Sequence, residues 1–333
     1  MLAIACFVLL CSQSASAFIP QPRVLSQFQH VAPVGRPSTR RSLTNISAND
    51  QALAFWITAF SASHIGMSAV RGRLIDACGQ LATSLNLVDR KFLTLPSYWP
   101  ADDVGKNEIF PDAETAGRQI YRALYTLISF ATLFGGAFSA YLSSIAMTTA
   151  SPVSDDSYTF WFTVAAIAQG VSIASLFNAS PLSLVPGFEQ GDELVLKRND
   201  TLKFQPSGLT RITRHPLILP VVPWGIANSF LAGGRLSDFL LFGGLAVYAV
   251  AGCAAQDLRI IRNEGSVGTV FRPSSSELQE FFAATSFLPF GAVVDGRQPI
   301  QDIVKEVPWI AFVGGCFVGA FIEDALLKWL ETC

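Results

Sequence analysis

Two histidines stand at the ends of apolar stretches, in Ser63-His64-Ile65-Gly66 and in Thr213-Arg214-His215-Pro216. The third histidine of the chain, His30, precedes the first long apolar stretch. An imidazole at bilayer depth is costly, so it is kept for a purpose. Three partners would satisfy His64: a metal, a cofactor, or a hydroxyl from a neighbouring helix, because lipid offers none. Arg71 marks the basic end of the first apolar stretch. His64 lies seven residues earlier, about 10 Å deeper at ~1.5 Å per residue. His215 lies between Arg214 and Pro216, and Pro favours the first helical position, which predicts His215 near an N-cap. Arg211 and Arg214 beside it form a cationic phrase suited to carboxylates, propionates or lipid phosphates. Asp257 and Arg259 read as an ion pair at a membrane edge, and Asp295 with Arg297 as a salt-bridged turn.

The elements that must position these groups are apolar helices. The chain has 333 residues, 50% of them hydrophobic and only 14% charged. A soluble domain carries about 25% charge, so this is membrane-protein composition. The net charge of −2, with no basic patch interleaved with aromatics, gives no reason to expect nucleic acid as a partner. None of the six cysteines forms a C-x-x-C pair, which leaves no disulfide framework or thiolate zinc site. No P-loop, dinucleotide fingerprint, nucleophile elbow or HExxH is present.

Six stretches qualify as spans: 52–70, 121–147, 158–188, 216–234, 239–256 and 308–322, the last extending towards Trp329. The fold class predicted is an all-α polytopic membrane bundle of about six helices. An interfacial helix over 277–290 completes it. Pro181 and Pro186 should end the third helix early, and Pro216, Pro220 and Pro223 should make the fourth begin irregularly. Gly315-x-x-x-Gly319 suits close helix packing. Loops 71–119, 189–214 and 257–306 are rich in Lys and Arg, whereas 148–157 has neither. That alternation follows the positive-inside rule, with the basic side towards the stroma and both mature termini opposite.

Residues 1–17 read as a signal peptide ending Ala15-Ser16-Ala17. Residues 18–50 read as a transit peptide: acid-free from Phe18 to Asn49, with Arg23, Arg36, Arg40 and Arg41 among Ser, Thr, Gln and Pro. Together they resemble the bipartite leader of algae with secondary plastids, with Phe18 at its signature position. The membrane domain is 51–333, and 80–116 is a polar insertion within it.

Five phrases in one order resemble the NnrU family: His64–Arg71, Gly117–Tyr125, Gly208–Pro216, Gln256–Arg259 and Thr285–Gln298. The last resembles the family's ζ-carotene isomerase branch. The resemblance implies haem b, an apolar carotenoid substrate dissolved in the lipid bilayer, and a location in the plastid inner envelope or thylakoid. It also implies rotation of the central double bond of 9,15,9′-tri-cis-ζ-carotene, helped by electron density from haem iron. On this reading His64 is a metal ligand, and His215, Arg211, Arg214 and Asn228 belong to the cofactor site. The sequence departs from the family at Asn228, where a second ligand histidine is expected. Gly225 replaces the alternate thiol, and Val247 falls near the place of a further histidine. That departure keeps a second reading open: a non-catalytic plastid membrane protein that binds haem, a tetrapyrrole or a carotenoid, or assists assembly. No catalytic residue is assigned.

Overall fold

Ser47 starts the first helix, its Oγ accepting from the Asp50 N–H at 3.0 Å. The helix that follows, α1, runs Ala48–Ala69. The computed structural model describes residues 46–88, 112–148, 153–178, 188–190, 196–198, 204–262 and 275–332. The leader through residue 45 and the centre of the polar insertion, 89–111, lie outside them.

After a break at Val70, α2 covers Arg71–Ser84. Sequence reasoning took 71–119 for a loop; α2 is a helix because Leu74, Ile75, Cys78, Gly79 and Ala82 share one face. Asp112 caps α3, accepting from the Thr115 N–H at 2.7 Å. Helix α3 runs unbroken over Ala113–Ile145, with a π-helical stretch at Ala131–Phe138. Next come α4 (Asp155–Ser175) and a small hairpin, β1 (Phe188–Gln190) antiparallel to β2 (Leu196–Arg198). A 3₁₀ turn at Gly208–Arg211 leads to α5 (Val221–Leu231) and α6 (Leu236–Ile261). The chain ends with α7 (Ser275–Ala284), the short α8 (Gly291–Val294) and α9 (Ile300–Glu306), and α10 (Trp309–Thr332).

Among the described residues four helices, α1, α3, α6 and α10, are long and apolar enough to cross a membrane. The third expected span is helical as α4, but Gln169, Ser172 and Ser175 are buried along it. The fourth shortens to the 11 residues of α5, about 16 Å at ~1.5 Å per residue and too short for a ~30 Å core. Pro216 and Pro220, lacking N–H groups, hold 216–220 as turns, so His215 sits upstream of the helix and not at its N-cap. The interfacial helix is likewise shorter than expected and closes at Ala284.

The helices alternate in direction. Asn49 meets Ser143 and Tyr121 meets Met67, which sets α1 and α3 antiparallel. Ile57 packs on Gly244 and Ser68 binds Arg259, so α6 runs alongside α1. Helices α4 and α10 cross at a seam of small residues: Gly315 and Gly319 lie against Gly170, Ala166 and the Gln169 stem, as their spacing predicts. The main apolar core joins Leu53, Ile57 and Phe60 of α1 to Tyr141 and Phe242. Outward faces stay apolar: Ile310 is 93% exposed, and Phe317 and Phe321 are each 74% exposed. Such faces belong against hydrocarbon and not water.

Candidate functional site

Phe60, His64 and Ser68 follow one another at four-residue steps on α1, and Tyr121, Tyr125 and Ser129 do so on α3. Because the two helices are antiparallel, these stripes face each other. The His64 Nδ1 lies 2.8 Å from Ser129 Oγ. The ring packs 4.3 Å from Tyr125, 5.3 Å from Phe60 and 5.5 Å from Tyr248 of α6, centroid to centroid. The hydroxyl among the three expected partners of His64 is therefore present, and the imidazole sits in an aromatic box. With Nδ1 engaged by a hydroxyl, Nε2 is the nitrogen left facing other chemistry.

The box closes towards the basic end. Tyr121 Oη donates to the Met67 carbonyl at 3.2 Å, and the Arg71 guanidinium lies 6.0 Å over the Tyr121 ring. Arg259 donates to Ser68 Oγ at 2.6 Å, tying α6 to the end of α1. Asp257, read from the sequence as the partner of Arg259, binds Arg214 and His215. Ser129, Tyr125 and Tyr248 escaped sequence reasoning, although the four-residue spacing of Tyr121, Tyr125 and Ser129 is a readable stripe.

His215 belongs to a different cluster. Its Nε2 lies 2.8 Å from Asp257 Oδ1, and the ring is 2% exposed. Arg214 Nη1 donates to Asp257 Oδ2 at 3.0 Å and stacks 4.3 Å over Phe282. Burial lowers the Arg214 pKa from its ordinary value, partly offset by Asp257. Arg211 clamps Glu306 through Nε (2.8 Å) and Nη2 (2.7 Å), and Glu306 also accepts from the Gly208 N–H at 2.8 Å. That clamp holds the Glu306 carboxyl below its ordinary pKa. Each arginine of the cationic phrase therefore has its own carboxylate. Together they fasten 208–215 beneath the 285–306 segment, where Arg297 and Asp295 form the expected turn pair at 2.8 Å.

Asn228 lies in a third place. It is fully buried on α5, and its Nδ2 donates to the Trp224 carbonyl at 3.1 Å. No hydrogen-bond partner or ring neighbour of His64, His215 or Asn228 is shared between them. Among the described residues no group of three or more His, Cys, Asp or Glu is placed to hold a metal ion. A bis-histidine haem b does not fit this donor set. His64 offers its Nε2 in an apolar setting. The Nε2 of His215 is committed to Asp257, and a carboxamide is a poor iron ligand. Sequence reasoning also passed over Glu323, an acid inside the last apolar run and 0% exposed beside Trp224.

The family model described as NnrU protein matches residues 111–322. Among curated proteins, "15-cis-zeta-carotene isomerase, chloroplastic" of Arabidopsis thaliana is 26% identical over 126 residues, 37% of this chain and 31% of that protein. The Zea mays protein of the same description is 28% identical over 126 residues, with the same shares. The match thus spans less than a third of the length of these curated relatives. No solved structure matches.

Proposed function

Since the chain belongs to the NnrU family, we propose that it is a carotenoid cis–trans isomerase of a plastid membrane. The reaction proposed is rotation of the central double bond of 9,15,9′-tri-cis-ζ-carotene. The observation that carries this reading is the similarity to two chloroplastic 15-cis-zeta-carotene isomerases. The His64 box agrees with it. A long polyene dissolves in lipid, and Phe60, Tyr125 and Tyr248 offer it aromatic faces at membrane depth. Rotation about a double bond moves no atoms between molecules, so the residues have to bind the polyene, hold its geometry and exclude water. Ser129 fixes the imidazole plane, and His64 presents Nε2 towards whatever occupies the box.

Haem b is not part of this reading, because Asn228 stands where the resemblance expects the second ligand. Its presence is a separate measurement: the optical spectrum of the detergent-purified protein, compared with His64→Ala. The activity test is expression in bacteria that accumulate the tri-cis substrate, grown in the dark because light isomerises it unaided. Conversion to the 9,9′-di-cis form by chromatography is expected. Membrane accumulation of the protein with no conversion would overturn the isomerase reading.

Asn228 favours one alternative. Its side chain fills the position where a ligand histidine is expected and is tied to Trp224. A non-catalytic member of the family would co-purify with a carotenoid or tetrapyrrole and convert nothing in the dark.

A further inference from the structure

Four polar side chains meet where α4, α5 and α10 cross. Glu323 Oε2 accepts from Gln169 Nε2 at 2.8 Å and from Trp224 Nε1 at 3.0 Å. Both donors are neutral. Asn228, one turn after Trp224 on α5, neighbours the same carboxyl, and Glu323 and Asn228 are each 0% exposed. Two atoms of the cluster have no hydrogen-bond partner: Glu323 Oε1 and Asn228 Oδ1. With Glu323 ionised, both are acceptors only.

Among the described residues, the helices that pack here do not supply a compensating cation. Helix α5 carries no titratable side chain, and α4 brings Tyr158 with Asp155 and Asp156 in its first turn. On α10 itself stand Asp324, Lys328 and Glu331, and Lys328 is paired with Asp324 at 2.7 Å. An ionised carboxyl would thus be buried against neutral donors with one oxygen bare. Burial of an uncompensated charge of this kind is strongly disfavoured. One proton removes both deficits. Placed on Oε1, it makes that atom a donor and leaves Oε2 as a carbonyl oxygen accepting two N–H bonds. Asn228 Oδ1 is the unmet acceptor on the neighbouring side chain.

We propose that Glu323 is a resident proton-binding site: its carboxyl is held neutral, with the proton on Oε1 donated to the Asn228 side-chain oxygen. That bond joins α5 to α10, while Gln169 joins α4 to the same carboxyl. The proposal does not rest on the isomerase reading: Glu323 and its donors make no hydrogen bond to the His64 box, although Trp224 packs on the same apolar core as Phe60. A water bridging Oε1 and Oδ1 is the rival source of the same hydrogen.

Infrared difference spectroscopy on the full chain in lipid vesicles tests it. Wild type minus Glu323→Gln at neutral pH should show the carbonyl stretch of a protonated carboxyl, moved by exchange into D₂O. Asn228→Ala should move that band to higher frequency, as its acceptor is lost. Glu323→Gln should keep the wild-type thermal midpoint, because the amide supplies the same donor and acceptor, while Glu323→Ala lowers it. A carboxylate signature at Glu323 overturns the proposal. So does a carboxyl band indifferent to Asn228→Ala, which would assign the hydrogen to water. If Glu323→Gln does not accumulate, the Asn228→Ala spectrum decides alone.

Discussion

At Asp257 one carboxylate serves two neighbours, Arg214 at 3.0 Å and His215 at 2.8 Å. The two sides of this arrangement are not equivalent. The Arg214 and Asp257 side chains are each 12% exposed, so Asp257→Asn strands a guanidinium that has little water to turn to. Breaking a buried pair from one side costs about 3–5 kcal/mol. His215→Ala leaves the Arg214–Asp257 pair standing and removes one hydrogen bond and a ring, which costs roughly 1–3 kcal/mol. Thermal unfolding in detergent should therefore rank Asp257→Asn below His215→Ala. The reverse order would mean that the imidazole, and not the guanidinium, holds the corner. At His64 the same logic gives a milder outcome. Ser129→Ala deprives Nδ1 of its partner, a loss of about 1–3 kcal/mol, while the aromatic box remains. If the box binds carotenoid, Ser129→Ala should weaken dark conversion less than His64→Ala does in the same reporter strain.

Helix α2 meets α3 through two glycines that leave no room for a side chain. A Cβ at Gly117 would run into the Ile75 carbonyl and Gly79, and one at Gly79 into the Ala113 carbonyl. Gly117→Ala should part the two helices at a cost of about 1–3 kcal/mol, read as faster proteolysis within α2. Gly72→Ala, with nothing within 4 Å, should be neutral or stabilising, since Ala is the better helix former. The clamp between Arg211 and Glu306 gives an element-scale pH dependence. The folded Glu306 pKa lies below its ordinary 4.5. Its contribution is thus full above that value and is lost as pH falls through the folded pKa. The pair is part-exposed, so roughly 0.5–1 kcal/mol is at stake. Glu306→Gln should flatten that acid limb of the stability curve. These contacts also mark where the sequence was legible. Gly315 and Gly319 announced their seam because their spacing alone puts both on one face. Helix α2 hid behind Arg71 and Arg73, whose charge read as loop although Leu74, Ile75, Cys78 and Ala82 keep a helical period. The run 216–234 read as a span by hydropathy, which does not weigh the N–H groups missing at Pro216 and Pro220.

Over the whole molecule, one alternation governs which ends of the helices share a side. The ends of α1, α4 and α6 near Ser68, Ser175 and Arg259 gather with the Arg211–Glu306 segment, as the Ser68–Arg259, Leu209–Asn178, Arg214–Asp257 and Gly208–Glu306 bonds require. The opposite ends gather Asn49 with Ser143 and Met147. Among the described residues Arg71, Arg73, Arg211, Arg214, Arg259 and Lys305 fall on the first side, in line with the alternation of lysines and arginines read from sequence, although α5 is too short to span by itself. The site was less legible, because hydrogen bonds such as His64–Ser129 and Gln169–Glu323 join residues 65 and 154 positions apart. Sequence spacing carries no record of which distant helices become neighbours. The arrangement is testable without knowing the substrate. In a cysteine-free background, single cysteines at Ser47, Ser154 and Thr332 should react with a membrane-impermeant thiol reagent from one face of sealed vesicles. Cysteines at Arg73 and Lys305 should react only from the other. Labelling of Ser154 and Lys305 from the same face would reverse α4 relative to α10. Their antiparallel seam at Gly170 and Gly315, and the Gln169–Glu323 bond with it, would then be impossible.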